Sequence, residues 1–227
     1  MHENLLATGL IGTDEAGKGD YFGPLVCAAC YLDDNLLVIL AETGIRDSKK
    51  ISNGRVKVIA AEIKKFCPHN IIAIGPEKYN QLYNKMKNLN RLLAWAHAKA
   101  IENLLGKVEC SNVLTDKFGA ERLVLGALQE NGKKINLIQE HRAEANPAVA
   151  AASILARAEF LYKLEALSKT YEVNLHPGAG EPTDKAIREF VKKHSADKLS
   201  QVAKLHFKNT RKVLGGTQVL NFPDSKS

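Results

Sequence analysis

No stretch of this 227-residue chain approaches the roughly 18 consecutive apolar residues that a membrane-spanning helix needs. Its opening, MHENLLATGLIG, lacks the basic start and long apolar run of a secretion signal. Internal repeats, low-complexity tracts and linker-like stretches are also missing. Cysteine is scarce, with four residues at positions 27, 30, 67 and 110. Cys27 and Cys30 form a C-x-x-C pair, yet no second pair and no His pair at zinc spacing accompanies them. Their surroundings, PLVCAACYL, read as an apolar strand, so buried thiols suit them better than a zinc or redox site. These absences leave a cytoplasmic globular protein as the expectation, long enough to bury one core without staples.

Charge is unbalanced. Thirty-two Lys and Arg against 25 Asp and Glu give a net +7 and a pI of about 9.1. A basic surface favours polyanions, of which nucleic acid is the commonest.

Residues 8–13 and 24–32 read as two paired strands separated by a glycine-rich turn. A helical pattern runs over 53–66, with Val56, Ile59, Ile63 and Phe66 on one face. Strands are expected at 70–75, 111–116 and 134–140. Helices are expected at 90–106, closed by Gly106, at 119–132, and at 146–171 with Pro147 in the first turn. Two basic helices follow, near 184–194 and 199–213, and then a loosely structured tail from 215 to 227. Strands first, then alternating helix and strand, predict an α/β fold: a mixed sheet flanked by helices, with a C-terminal helical portion over 175–214. One domain over 1–227 is expected.

Residues 12–19, GTDEAGKG, meet the phosphate-loop pattern G-x-x-x-x-G-K-[ST] except at Gly19, which offers no hydroxyl to a metal. Asp14 and Glu15 would repel phosphates, and a strand rather than a helix follows. Adjacent carboxylates at the end of an apolar strand suit Mg²⁺, which takes carboxylates plus substrate phosphate oxygens. Two such ions about 4 Å apart assist phosphodiester cleavage. Asp116, at the tip of SNVLTD, can join Asp14 from a neighbouring strand or can cap a following helix. Glu144, before the long helix, can join them or can simply favour the helix N-terminus.

Several segments together resemble the type 2 ribonuclease H family, and within it ribonuclease HIII. They are GTDEAGKGDYFGPLV, RDSKKIS, NLNRLLAWAHAKAI, LTDKFG, AVAAASILAR and KLHFKNTRK, in the family's order from about residue 11 to 214. The resemblance implies a ribonuclease H-like fold and hydrolysis of the RNA strand in an RNA–DNA hybrid, leaving 5′-phosphate and 3′-hydroxyl ends. It implies an acidic metal site of Asp14, Glu15, Asp116 and Glu144, holding Mg²⁺ or Mn²⁺, in a monomer without a nucleotide cofactor. Glu at position 144 and Lys18 between its glycines are similar to the HIII side; ribonuclease HII carries Asp and Arg there. The alternative is an HII-type enzyme that also cuts at single embedded ribonucleotides. The N-terminal substrate-binding domain usual in ribonuclease HIII is expected to be missing.

The resemblance also implies substrate contacts by Gly17, Lys18 and Gly19, whose backbone can approach a ribose 2′-hydroxyl, and by Ser48, Lys49, Lys50, Lys208 and Asn209. Lys49 and Lys50 meet phosphates or form a solvated turn before a helix capped by Ser52. Lys204, His206, Lys208, Asn209, Arg211 and Lys212 form a backbone-tracking face or a solvated basic helix. Trp95 and His97 are expected to pack rather than to bind. Two rivals remain: a non-catalytic nucleic-acid binder, which gains nothing from four carboxylates, and a phosphate-loop hydrolase, which fails on Gly19.

Overall fold

The computed structural model of the chain describes residues 3–41, 52–117, 119 and 121–215. Two apolar faces of one sheet organise it. The elements are α1 (Glu3–Ala7), β1 (Leu10–Ala16), β2 (Leu25–Leu32), α2 (Asp34–Ala41), α3 (Asn53–Phe66), β3 (His69–Ile74), α4 (Pro76–Met86), α5 (Leu89–Leu105), β4 (Asn112–Asp116), α6 (Glu121–Ala127), β5 (Asn136–Glu140), α7 (Pro147–Tyr171), α8 (Glu181–His194) and α9 (Lys208–Leu214). The five strands lie in the order β3-β2-β1-β4-β5. β3, β2 and β1 run antiparallel, while β1, β4 and β5 run parallel. The expected mixed sheet with flanking helices is present.

Strand residues alternate between the faces, as the two-residue period of a strand requires. Leu10, Val26, Ala28, Cys30 and Leu114 join the cluster built on α7 and α3. Ile11, Ala29, Val113 and Leu137 meet Ala94, Ala98, Ile101 and Leu104 of α5. β2 is therefore apolar on both sides, as a strand covered twice must be, and Cys27 and Cys30 are buried free thiols. Caps match the chemistry of their residues: Ser52 Oγ accepts from Arg55 N, Asn88 Oδ1 from Arg91 N, and Asn146 Oδ1 from Ala148 N ahead of Pro147.

β1 extends through Ala16 rather than ending at residue 13, because Asp14, Glu15 and Ala16 pair with Ala28, Cys27 and Val26. α6 ends at Ala127, short of the expected 132. There Glu102 Oε1 accepts from the Gln129 and Gly132 N–H groups and captures the chain. The expected helix over 199–213 is a 3-10 turn at Asp197–Gln201, an irregular stretch, and then α9. Helices α1, α2 and α4 had no counterpart in the sequence reading. Among the described residues, no helix is long and apolar enough to cross a membrane.

α7 lies very close to β1. A Cβ on Gly12 would stand 2.2 Å from the Ala148 carbonyl carbon and the Val149 nitrogen. The alanines at 148 and 150–152 keep that side of the helix thin enough for the approach. At the other end of the chain, the segment after β1 is stitched to the C-terminal portion. Tyr21 N donates to Gly178 O, Gly23 N to Val202 O and Lys204 N to Tyr21 O. Ala186, Ile187, Phe190 and Leu199 belong to the α7 cluster. Lys204, expected on a basic surface, is fully buried, and its Nζ donates to Gly23 O at 2.7 Å and Phe22 O at 3.4 Å.

Gly12→Ala is expected to force α7 off β1 and lower unfolding free energy by about 1–3 kcal/mol, the usual cost of overpacking, seen as a lower urea midpoint. Burial pushes the Lys204 pKa down to about 7, against partial support from Asp20. Between that value and the ordinary 10.5 the unfolded chain binds the additional proton, so stability rises with pH across this window. The slope is at most about 1.4 kcal/mol per pH unit. Wild type measured against Lys204→Met is thus expected to gain stability from pH 7 to 9; a constant difference would mean an ordinary lysine.

Candidate active site

Register brings two distant carboxylates together. Thr13 of β1 is the partner of Thr115 of the parallel strand β4, so Asp14 and Asp116 follow side by side. Neighbouring strands lie about 4.8 Å apart, and paired residues share a face. Gly12 faces α7 and Thr13 faces α5, so alternation turns Asp14 to the α7 side, where Ser153 hydrogen-bonds it. Leu114 belongs to the α7 cluster, which puts Asp116 on that side too. Asp116 Oδ1 accepts from Ala143 N at 3.3 Å. Ala143 opens the 3-10 turn Ala143–Ala145 that carries the half-buried Glu144. Asp116 thus ties this turn to the sheet, and α6 begins only at Glu121. Glu140, the partner of Asp116 on β5, adds an acidic neighbour that the sequence reading passed over.

Glu15 goes the other way. Its Oε2 meets His97 Nε2 at 3.2 Å and its Oε1 accepts from Lys18 Nζ at 3.3 Å. His97 is fully buried in α5, and its Nδ1 lies 3.0 Å from Thr13 Oγ1. Among the described residues, no three His, Cys, Asp or Glu side chains already converge as a metal cage. The Asp14–Asp116 side offers oxygen donors alone, the set that hard cations such as Mg²⁺ and Mn²⁺ take.

The electrostatics of the two adjacent carboxylates diverge. Burial, and then the charge of Glu15, raise the Asp14 pKa to about 6, although Ser153, the Glu15 N–H and His97 oppose this. The Glu15 N–H donates to Asp14 Oδ1 at 2.8 Å. Burial also works against ionised Glu15, but the bonds and charges of His97 and then Lys18 outweigh it and lower its pKa. Burial alone would lower the His97 pKa; its bonds to Cys27 and Glu15 prevail and raise it, and since burial holds the Cys27 thiol above its usual range, Glu15 is the partner that supplies negative charge.

The glycines of the first motif have separate tasks. Gly12 admits α7. Gly17 holds φ +86°, where a Cβ would strike Pro24 O at 2.1 Å. Gly19 faces open space. A strand, β2, follows the loop, in place of the helix a phosphate loop needs. Lys18 is partly exposed and Lys208 is exposed. Asn209 turns inward, and its Nδ2 donates to Ala179 O at 3.0 Å and Asp184 Oδ1 at 2.6 Å. Lys212 pairs with Asp184. Ser48, Lys49 and Lys50 lie outside the described residues. His97 packs as expected, in phase with Leu93 and Ile101 on the buried face of α5; its bond to Glu15 was not foreseen.

Comparison with known proteins places the chain in a family. The family model for Ribonuclease HII matches residues 11–210. Ribonuclease HIII of Protochlamydia amoebophila is 44% identical over 205 residues, which cover 90% of this chain and 68% of that protein. Ribonuclease HIII of Chlamydia pneumoniae is 42% identical over 210 residues, covering 91% of this chain and 70% of that one. The crystal structure of Bst ribonuclease HIII in complex with Mn²⁺ superposes with a TM-score of 0.86 at 32% identity, covering 93% of this chain and 71% of that one. With carboxylates at neighbouring strand tips and a family match from β1 to α9, the chain belongs to the type 2 ribonuclease H family of enzymes, among relatives named ribonuclease HIII.

Proposed function

We propose that this protein is an endoribonuclease that hydrolyses the RNA strand of RNA–DNA hybrids, acting as a cytoplasmic monomer. The observation that supports this reading most is the β1–β4 register, with Asp14 beside Asp116 and the Glu144 turn bonded to Asp116. Asp14, Asp116 and Glu144 would hold the metal, with Glu15 joining from the adjacent strand position. Two divalent cations, Mg²⁺ or Mn²⁺, would supply activation of the attacking water and charge stabilisation at the departing 3′ oxygen. Cleavage leaves 5′-phosphate and 3′-hydroxyl ends.

The remaining residues orient the polymer. Gly17 and Gly19 allow the backbone to come close to a ribose 2′-hydroxyl, the group that separates RNA from DNA. Lys18, Lys49, Lys50 and Lys208 neutralise phosphates, in keeping with the net charge of +7. Ser48 would contact the same substrate. Asn209 turns inward, holding Asp184 and α9. Asp14 is costly to ionise in a buried position beside Glu15, and a bound cation relieves that cost.

Three duplexes test the proposal in Mg²⁺ or Mn²⁺: an RNA–DNA hybrid, duplex DNA with one ribonucleotide, and double-stranded RNA. Cutting is expected for the hybrid, weakly or not at all for the second, and not for the third; an uncut hybrid overturns the proposal. Asp14→Asn is expected to lower kcat at least about 100-fold, the upper end for metal-site partners, while hybrid binding persists. Because the folded-state pKa of Asp14 is raised, its ionised form destabilises the fold above about pH 6. The same variant is therefore expected to be about 1–2 kcal/mol more stable than wild type at pH 8 in EDTA, and no more stable at pH 4.

A further inference from the structure

Glu15 is held asymmetrically. One carboxylate oxygen, Oε2, meets a ring that is fully buried in α5. That ring is fixed on its far side by Thr13 Oγ1 at 3.0 Å, and Thr13 is itself buried in β1 opposite Thr115. Cys27 of β2 also bonds it. The other oxygen, Oε1, meets the Lys18 ammonium at 3.3 Å, and the Lys18 side chain is 39% exposed at the end of a flexible stem. The first partner cannot turn without opening the α5 face of the sheet; the second can swing into solvent or onto a phosphate.

Resting on the activity proposed above, we infer that His97 is the positioning residue of the acidic site: it fixes Glu15 through Oε2 so that Oε1 is the oxygen presented to a divalent cation. Lys18 occupies Oε1 as a place-holding positive charge until that cation arrives, and is then available to the nucleic acid backbone. The arrangement accounts for a polar ring in an otherwise apolar helix face among Leu93, Ala94 and Ile101. It also explains how adjacent residues of one strand, which point to opposite faces, can serve one site: Asp14 is steadied from the α7 side by Ser153 and Glu15 from the α5 side by His97. Partners of this kind commonly contribute about 10–100-fold in metal affinity or activity.

The test uses the full chain with His97→Ala, His97→Gln, Glu15→Gln and the double variant Glu15→Gln/His97→Ala. Mn²⁺ binding is measured by calorimetry without nucleic acid, kcat and KM with the hybrid, and folding by thermal melts. His97→Ala is expected to weaken Mn²⁺ binding and lower kcat about 10–100-fold with the KM for hybrid unchanged. His97→Gln, which retains an N–H donor, is expected to recover part of both. In the Glu15→Gln background, loss of His97 is expected to cost nothing further, because the two residues act as one unit. Folded His97 variants that bind Mn²⁺ and turn over like wild type would overturn the inference, as would losses that simply add in the double variant. Should His97→Ala fail to fold, His97→Gln carries the same comparison. If wild type leaves the hybrid uncut, the proposed activity falls, while the Mn²⁺ titration still judges His97.

Discussion

The backbone of α7 rests on β1 at Gly12, and the site follows from that contact. With no side chain at position 12, the start of α7 sits against the strand two residues before Asp14. Ser153 then reaches Asp14 from within the helix. The turn that precedes the helix, with Glu144 in it, is drawn over the end of β4, where Asp116 Oδ1 accepts the Ala143 N–H. A helix held a few ångströms further away would move Ser153 off Asp14 and the Glu144 turn off the end of β4. The alanine-rich start of α7 is the sequence expression of this constraint, since larger residues would act as spacers.

The second organising feature is the division of Asp14 and Glu15 between two faces. Both are partly buried, yet their surroundings move their ionisation in opposite directions. Asp14 is bonded by Ser153 and the Glu15 N–H, with the Glu15 charge next to it. Glu15 has a buried imidazole and a lysine. Glu15 therefore stands as the stabilised anion, while Asp14 ionises at a cost and gains most when positive charge arrives. That division of roles matches environment to task, as in other sites where two neighbouring carboxylates differ. On the proposed function it also places stability and activity in opposition at Asp14, as is common at functional residues.

Much of this was legible in the sequence. The paired opening strands, the long helix after Pro147 and the caps Ser52 and Gly106 follow from periodicity and end signals, and the family's motifs singled out Asp14, Glu15, Asp116 and Glu144. What was hidden depends on contacts between segments far apart in sequence. His97 and Glu15 are 82 positions apart, and nothing in the spacing of either segment shows that one lies beneath the other. Lys204 reads as one more lysine in a basic stretch until the carbonyls of Phe22 and Gly23 are seen to accept from it. Asn209 looked like a surface residue for the same reason. α4 was missed despite an ordinary signal: Pro76 at its start, followed by an apolar stripe of Tyr79, Tyr83 and Met86. The shortened α6 reflects capture of its expected last turn by Glu102, a buried carboxylate on another helix.

Anomalous diffraction from crystals soaked in Mn²⁺ addresses the central claim most directly, because it locates bound cations independently of turnover. Mn²⁺ is expected at the tips of β1 and β4, in contact with both Asp14 and Asp116. Mn²⁺ bound elsewhere, with Asp14 and Asp116 untouched, would contradict it.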